Sequence, residues 1–254
     1  MLSVKNVSKV FGGLRALNAV SIDLEAGGIR GVIGPNGAGK TTLMNLISGF
    51  GMPDSGSVSV DDIDVTGKPA HRICRAGVAR TFQNLQMFSD MTVEEVVATG
   101  AHRHLQASLF ADLLRLPASR RDEAQAADEA RELLDYLNIS DTYRKRRAGD
   151  LPYGIQRRVE IARALATGPR YLLLDEPAAG LNDEETGALG EVLMRIKARG
   201  IGIALIEHDL ELVMRVSDHV FVLDAGTVIA SGRPDVVRAD PAVVAAYLGD
   251  GHAG

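Results

Sequence analysis

The sequence predicts an α/β fold: a core on a mainly parallel sheet, an antiparallel β region at the N-terminus, and a helical subdomain inserted in mid-chain. Three observations predict it. Strand and helix patterns alternate after residue 170, alternating apolar and polar positions fill residues 3–11 and 19–25, and between about 83 and 148 long helical patterns replace strand runs. With 254 residues, 46% of them hydrophobic, the chain can fill one large domain or a core with a subdomain.

The charge balance narrows the partners. A net charge of −5 argues against nucleic acid or an anionic membrane surface as the main partner, and the one basic run, RKRR at 144–147, reads as a solvated loop. Cys74 stands alone, so no disulfide framework or cysteine-based zinc cluster is expected, and it reads as core. The opening MLSVKNVSKVF alternates like a strand rather than a signal peptide, and no apolar run approaches about 18 residues. The expected compartment is the cytosol, and any membrane role must pass through a partner.

In chain order, the buried-strand run at 29–33 meets a glycine-rich turn and a helix at 39–48, followed by strand patterns at 58–60 and 78–82. Thr92, with Glu95 three residues on, forms a capping box opening the helix MTVEEVVATG. Leu133, Leu134 and Leu137 form the apolar stripe of SRRDEAQAADEARELLDYL. In LPYGIQRRVEIARAL, Val159, Ile161, Ala162, Leu165 and Ala166 mark a buried helix face with the arginines expected opposite, and residues 151–156 leave a free helix N-terminus beside Gly154. Strands at 171–174, 201–206 and 220–223 then alternate with helices at 183–198 and 210–216. The expected organisation is one domain over 1–254: a core of 1–82 and 168–248, a helical subdomain at about 83–167, and a tail at 249–254.

Chemistry concentrates in GPNGAGKTT, residues 34–42, which matches GxxxxGK[ST] between a strand and a helix. Gly34, Gly37 and Gly39 let successive backbone N–H groups curl around phosphate oxygens, and Pro35, Asn36 and Ala38 complete the same nucleotide-binding loop. Lys40 reaches the β and γ phosphates, Thr41 can ligate Mg²⁺, and Thr42 closes the nucleotide-binding stretch. In YLLLDEP an apolar strand delivers Asp175, suited to holding Mg²⁺, and then Glu176, placed as general base for water. The plain alternative for that pair is an acidic helix-entry turn. His102 and His104 in HRH read as surface residues.

The order of the surrounding segments is more specific. Gln83 in RTFQNLQMF, LPYGIQRRVEIARAL just before the acidic strand, GLND at 180–183 and His208 in ALIEHDLE together resemble the nucleotide-binding subunit of ABC transporters, over residues 2–248. FGGLRALNAVSIDL, GVARTFQNLQMF, LDEPAAGLN and the C-terminal AYLG resemble, within it, the ATPase of branched-chain amino acid uptake systems.

The resemblance implies ATP and Mg²⁺ as cofactors. It places Phe11 on adenine, Gln83 at the metal and the attacking water, and His208 at the γ phosphate. Tyr153 and Gly154, in the segment 151–156, then serve the ATP of a second ATPase subunit, sister or copy, and Asn182 is placed among the nucleotide-binding residues. From the residues alone, Phe11 equally suits the core, Gln83 and His208 suit polar strand ends, and Asn182, with Glu185 three residues on, suits a helix N-cap. Against the common LSGGQ form, Pro152, Tyr153 and Ile155 are substitutions, and Pro152 brings neither a hydroxyl nor an N–H.

The implied partners are integral-membrane permeases, a second ATPase and, indirectly, an extracytoplasmic solute-binding protein, with the chain on the cytoplasmic face of the membrane. Leu85, Met87 and Phe88 either dock the permeases or pack in the core. Lipid or lipopolysaccharide export, import of another small solute such as urea or an amide, and a non-transport ATPase of the same type are the competing functions. A DNA-repair ATPase of this kind would need a long coiled-coil insertion and a basic face; neither is legible here.

Overall fold

The structure is a computed structural model that describes residues 1–81, 89–101 and 117–249. Gln83, Leu85, Met87, Phe88, His102 and His104 lie outside the described residues. Contacts divide the chain into two units, Met1–Arg80 with Arg170–Gly254, and Thr81–Pro169.

The first unit holds both sheets. In the antiparallel one, β2 (Leu14–Leu24), β1 (Leu2–Phe11), β4 (Ser55–Val60) and β5 (Ile63–Asp64) pair in that order. Registers such as Val4↔Ile22 and Val4↔Val58 bring alternate apolar residues onto one face. The second sheet runs β10 (Thr227–Gly232), β9 (His219–Asp224), β3 (Ile29–Ile33), β8 (Gly202–Ile206), β7 (Tyr171–Asp175) and β6 (Val78–Arg80), parallel except for the β10–β9 hairpin. Its central strands are buried on both faces, which explains their unbroken apolar runs. The helix Lys40–Ser48 sends Leu43, Met44, Leu46 and Ile47 into a core shared with Val4, Val58 and Val60 of one sheet and Val32, Leu173 and Ile206 of the other. Truncating any of these leucines or isoleucines to alanine would cost about 2–5 kcal/mol.

Strand order sets the site. In the parallel sheet β8 lies between β3 and β7, with Val32 opposite Ile206 and Ile206 opposite Asp175. The segments that follow all three strands therefore leave the sheet at one edge, the carboxyl end where open α/β sheets bind ligands.

The second unit packs the helices Val93–Ala101, Pro117–Tyr136 and Tyr153–Ala166. Val93, Val96, Val97, Leu134, Leu137, Val159 and Ala162 are buried there. Gly100 permits a close helix crossing, since a Cβ on it would lie 2.1 Å from the Arg163 carbonyl oxygen. The Thr92–Glu95 box forms, with Thr92 N–H donating to the Glu95 carboxylate at 2.8 Å and Glu95 N–H to the threonine hydroxyl at 3.3 Å.

Three expectations are corrected. Arg157 does not lie on a solvated face: it is buried, pairs with Glu160 at 3.3 Å, stacks 4.8 Å from the Tyr153 ring centre and donates to the Tyr153 hydroxyl. Burial pushes the Glu160 carboxyl above its ordinary value although Arg157 and Arg163 oppose this. Of the RKRR run, Arg144 closes a helix at Asp141–Arg144 and pairs with Asp141 at 2.8 Å and with Asp135, while residues 145–147 are exposed. Cys74 is half-buried rather than core, because its neighbour Ile73 takes the inward position on that short helix.

Candidate active site

The loop 34–39 turns sharply because three of its glycines have positive φ, 149° at Gly34, 79° at Gly37 and 102° at Gly39. At two of them space is the stricter limit: a Cβ on Gly34 would sit 2.0 Å from the Leu223 carbonyl oxygen, and one on Gly39 2.5 Å from that of Ala16. Gly39 opens the helix Lys40–Ser48 with no side-chain cap, and the first ladder bond runs from Leu43 N–H to the Gly39 carbonyl at 2.9 Å. The N–H groups of Lys40, Thr41 and Thr42 therefore precede the ladder, at the end of a helix suited to anions.

Lys40 is buried, its Nζ donating to the carbonyls of Gly34 at 2.6 Å and Pro35 at 3.0 Å. Burial pushes its pKa down, and the nearby carboxylates Glu176 and Asp175 partly oppose that. A cation so desolvated is primed to gain from a bound anion. Beside it opens a cavity of about 620 Å³ lined by Phe11, Asn36, Gly37, Ala38, Gly39, Lys40, Thr41, Thr42, Glu176 and His208, with Leu14, Arg15, Ala16, Asp224 and Ala225 completing it. Phe11 is 54% exposed, which removes it from the core and leaves its ring at the cavity wall.

Asp175, the last residue of β7, is buried and holds one direction firmly. Its Oδ2 accepts from Arg80 Nη2 at 2.8 Å, while Arg80 Nη1 donates to Asn45 Oδ1 at 2.7 Å and Ser48 Oγ at 2.9 Å. Its Oδ1, also buried, has no hydrogen-bond partner among the described residues. An orphaned carboxylate oxygen ordinarily costs free energy. A hard divalent cation would satisfy it, so Asp175, with a threonine hydroxyl such as that of Thr41, fits Mg²⁺. Among the described residues no group of three or more His, Cys, Asp or Glu could hold a metal by itself, so phosphate oxygens or water would have to complete the shell.

Glu176 follows with φ 50°, strained for a residue with a side chain. Its N–H donates to the Ile206 carbonyl at 2.9 Å, and its Oε1 lies 2.8 Å from His208 Nε2. Glu207, 3% exposed, accepts from Ala178 N–H at 2.5 Å and from His208 N–H at 3.2 Å, with burial pushing its carboxyl above the ordinary value.

Asn182 is not brought into this cavity. It caps the helix Asp183–Ala198, accepting from Glu185 N–H at 2.9 Å while the Glu185 carboxylate takes the Asn182 N–H at 3.1 Å. Tyr153 and Gly154 belong to the second unit, where they open the helix Tyr153–Ala166 with Pro152 as an N-cap that makes no side-chain bond. Reading the sequence missed Arg80 and Glu207. The only signal was position, one just ahead of Gln83 and the other just ahead of His208, since their burial depends on partners distant in the chain.

Comparison with known proteins agrees with this geometry. The family profile "ABC transporter" matches residues 17–179, and "Branched-chain amino acid ATP-binding cassette transporter" matches residues 227–253. The high-affinity branched-chain amino acid transport ATP-binding protein BraF of Pseudomonas aeruginosa is 43% identical over 98% of both chains. LivG of Escherichia coli, of the same description, is likewise 43% identical over 98% of both chains. The crystal structure of the ADP conformation of MJ1267, an ATP-binding cassette of an ABC transporter, superposes with a TM-score of 0.86 at 35% identity, covering 98% of each chain. The chain belongs to the ATP-hydrolysing subunits of ABC transporters, in the group of branched-chain amino acid transport ATP-binding proteins.

Proposed function

We propose that this ATPase powers uptake of branched-chain or other hydrophobic amino acids, with the 620 Å³ cavity as its nucleotide site. The observation that supports the site best is the convergence of three segments on it: the loop with Lys40, and Glu176 paired with His208 at 2.8 Å. The solute class rests on full-length similarity to the branched-chain amino acid transport proteins.

In this reading the loop amides and Lys40 bind the β and γ phosphates, and Phe11 packs on the base. Thr41 and Asp175, joined by Gln83 as the family resemblance implies, would hold Mg²⁺, which when bound would neutralise developing phosphate charge. Glu176 takes a proton from the attacking water, and His208, hydrogen-bonded to it, keeps that carboxylate oriented and contacts the γ phosphate. Tyr153 and Gly154 face the nucleotide of a second ATPase subunit. Among the described residues no helix is long and apolar enough to cross a membrane. Family membership supports the reading that the chain works through membrane permeases, at their cytoplasmic face, with an extracytoplasmic binding protein delivering solute.

Uptake into cells carrying the chain with its permeases, its sister ATPase and the binding protein tests the reading. Labelled leucine, isoleucine or valine should enter only when Lys40 is intact. Uptake of urea or an amide instead, or export of lipid, would select a competing function.

A further inference from the structure

Glu207 is a buried carboxylate to which the mechanism above gives no task. It stands directly after β8, the residue 3% exposed, and it bridges two segments. Oε1 takes the N–H of Ala178 in the segment after β7, and Oε2 the N–H of His208 in the segment after β8. Between these anchors lies the hydrolytic pair. Glu176 is tied to β8 by its own N–H on the Ile206 carbonyl, and to His208 through its side chain. Ala178 is also the hinge of the next turn, its carbonyl accepting Leu181 N–H at 3.0 Å while Ala179 N–H returns to the Glu176 carbonyl at 3.2 Å.

The left-handed backbone of Glu176 makes such an anchor necessary. A non-glycine residue stays at φ 50° only where its surroundings over-determine it. On the N-terminal side the sheet does this, through Asp175 in register with Ile206. On the C-terminal side the chain leaves the sheet through Pro177, which has no N–H, and Ala178 N–H on Glu207 is the next main-chain hold. A carboxylate suits the task because it accepts at both oxygens and donates nothing.

We propose that Glu207 is a positioning residue for hydrolysis: by holding Ala178 and His208 together it fixes Glu176 and His208 in the geometry turnover requires. The inference rests on the roles proposed above for that pair. It separates Glu207 from nucleotide binding, since the cavity wall does not include it.

The test is ATP hydrolysis and nucleotide affinity of Glu207→Ala and Glu207→Gln in the assembled transporter, with Glu176→Gln in parallel. Glu207→Ala should lose at least about tenfold in kcat while its Kd for ATP stays within roughly twofold of wild type. Glu207→Gln should fall between the two, because its amide oxygen still accepts one N–H while its amide nitrogen meets the other. A folded Glu207→Ala with wild-type kcat, or one that loses ATP affinity in proportion to kcat, would overturn the proposal. If Glu207→Ala does not fold, Glu207→Gln decides: a lower kcat at unchanged Kd supports it, and wild-type kcat refutes it. Turnover by Glu176→Gln would instead show that the underlying assignment of the pair is wrong.

Discussion

His208 Nε2 lies 2.8 Å from Glu176 Oε1, although 32 residues separate them and each lies just past the end of a different strand of the parallel sheet. Parallel register produces this contact, because β7 and β8 pair residue for residue up to Asp175 and Ile206, and the next residues leave at the same edge. Replacing His208 with alanine frees the Glu176 carboxylate to rotate. We expect kcat to fall by about 10²-fold with ATP affinity little changed, as steady-state hydrolysis and calorimetry would show.

Lys40 should behave in the opposite way. Its ammonium is desolvated and held by two loop carbonyls. A bound phosphate would add charge-assisted bonds of about 1.5–3 kcal/mol, so Lys40→Ala should weaken ATP binding by roughly 10–100-fold in calorimetry. Wild-type affinity would remove Lys40 from the phosphate contact.

Arg80 and Asp175 form a buried pair, their side chains 8% and 5% exposed. Removing one partner of such a pair costs about 3–5 kcal/mol. Arg80→Ala should therefore lower the Tm by roughly 10 °C, and the Arg80→Ala, Asp175→Asn double variant should recover part of that loss. A melt indistinguishable from wild type would show that solvent screens the pair.

These three residues divide what a sequence can tell. The loop 34–42 was legible because its chemistry is local, with glycines, lysine and threonine at fixed spacing between a strand and a helix. The caps at Thr92 and Asn182 were legible for the same reason, each box closing within three residues. Arg80, Glu207 and the buried Arg157–Glu160 pair were not. Periodicity assigns a charged side chain to solvent, and only a partner brought by the fold, such as Asp175 95 residues from Arg80, reverses that. Phe11 was ambiguous for a different reason: an aromatic in an alternating strand reads equally as core until the sheet shows which face is covered, and here the ring is exposed at the cavity wall.

Tyr171 supplies a pH test away from the site. Burial first, and then its hydrogen bond to Asp61 at 2.7 Å, push the phenol from 10.0 up to about 12. A raised folded-state value gives stability that is fully present below pH 10.0 and lost as pH rises through about 12. The stability advantage of wild type over Tyr171→Phe should therefore be constant below pH 10.0 and shrink between there and about 12 in denaturant titrations. A constant advantage across that window would contradict the shift.

The central claim is that Glu176 acts on water after ATP has bound, and the most direct measurement compares nucleotide affinity with single-turnover hydrolysis in Glu176→Gln. The amide keeps the size of the side chain but cannot accept the proton. Lys40, Thr41 and the loop amides are untouched. The account predicts ATP affinity within roughly twofold of wild type and hydrolysis slowed by about 10²-fold or more, with ATP held uncleaved. Hydrolysis at the wild-type rate by this variant would contradict it.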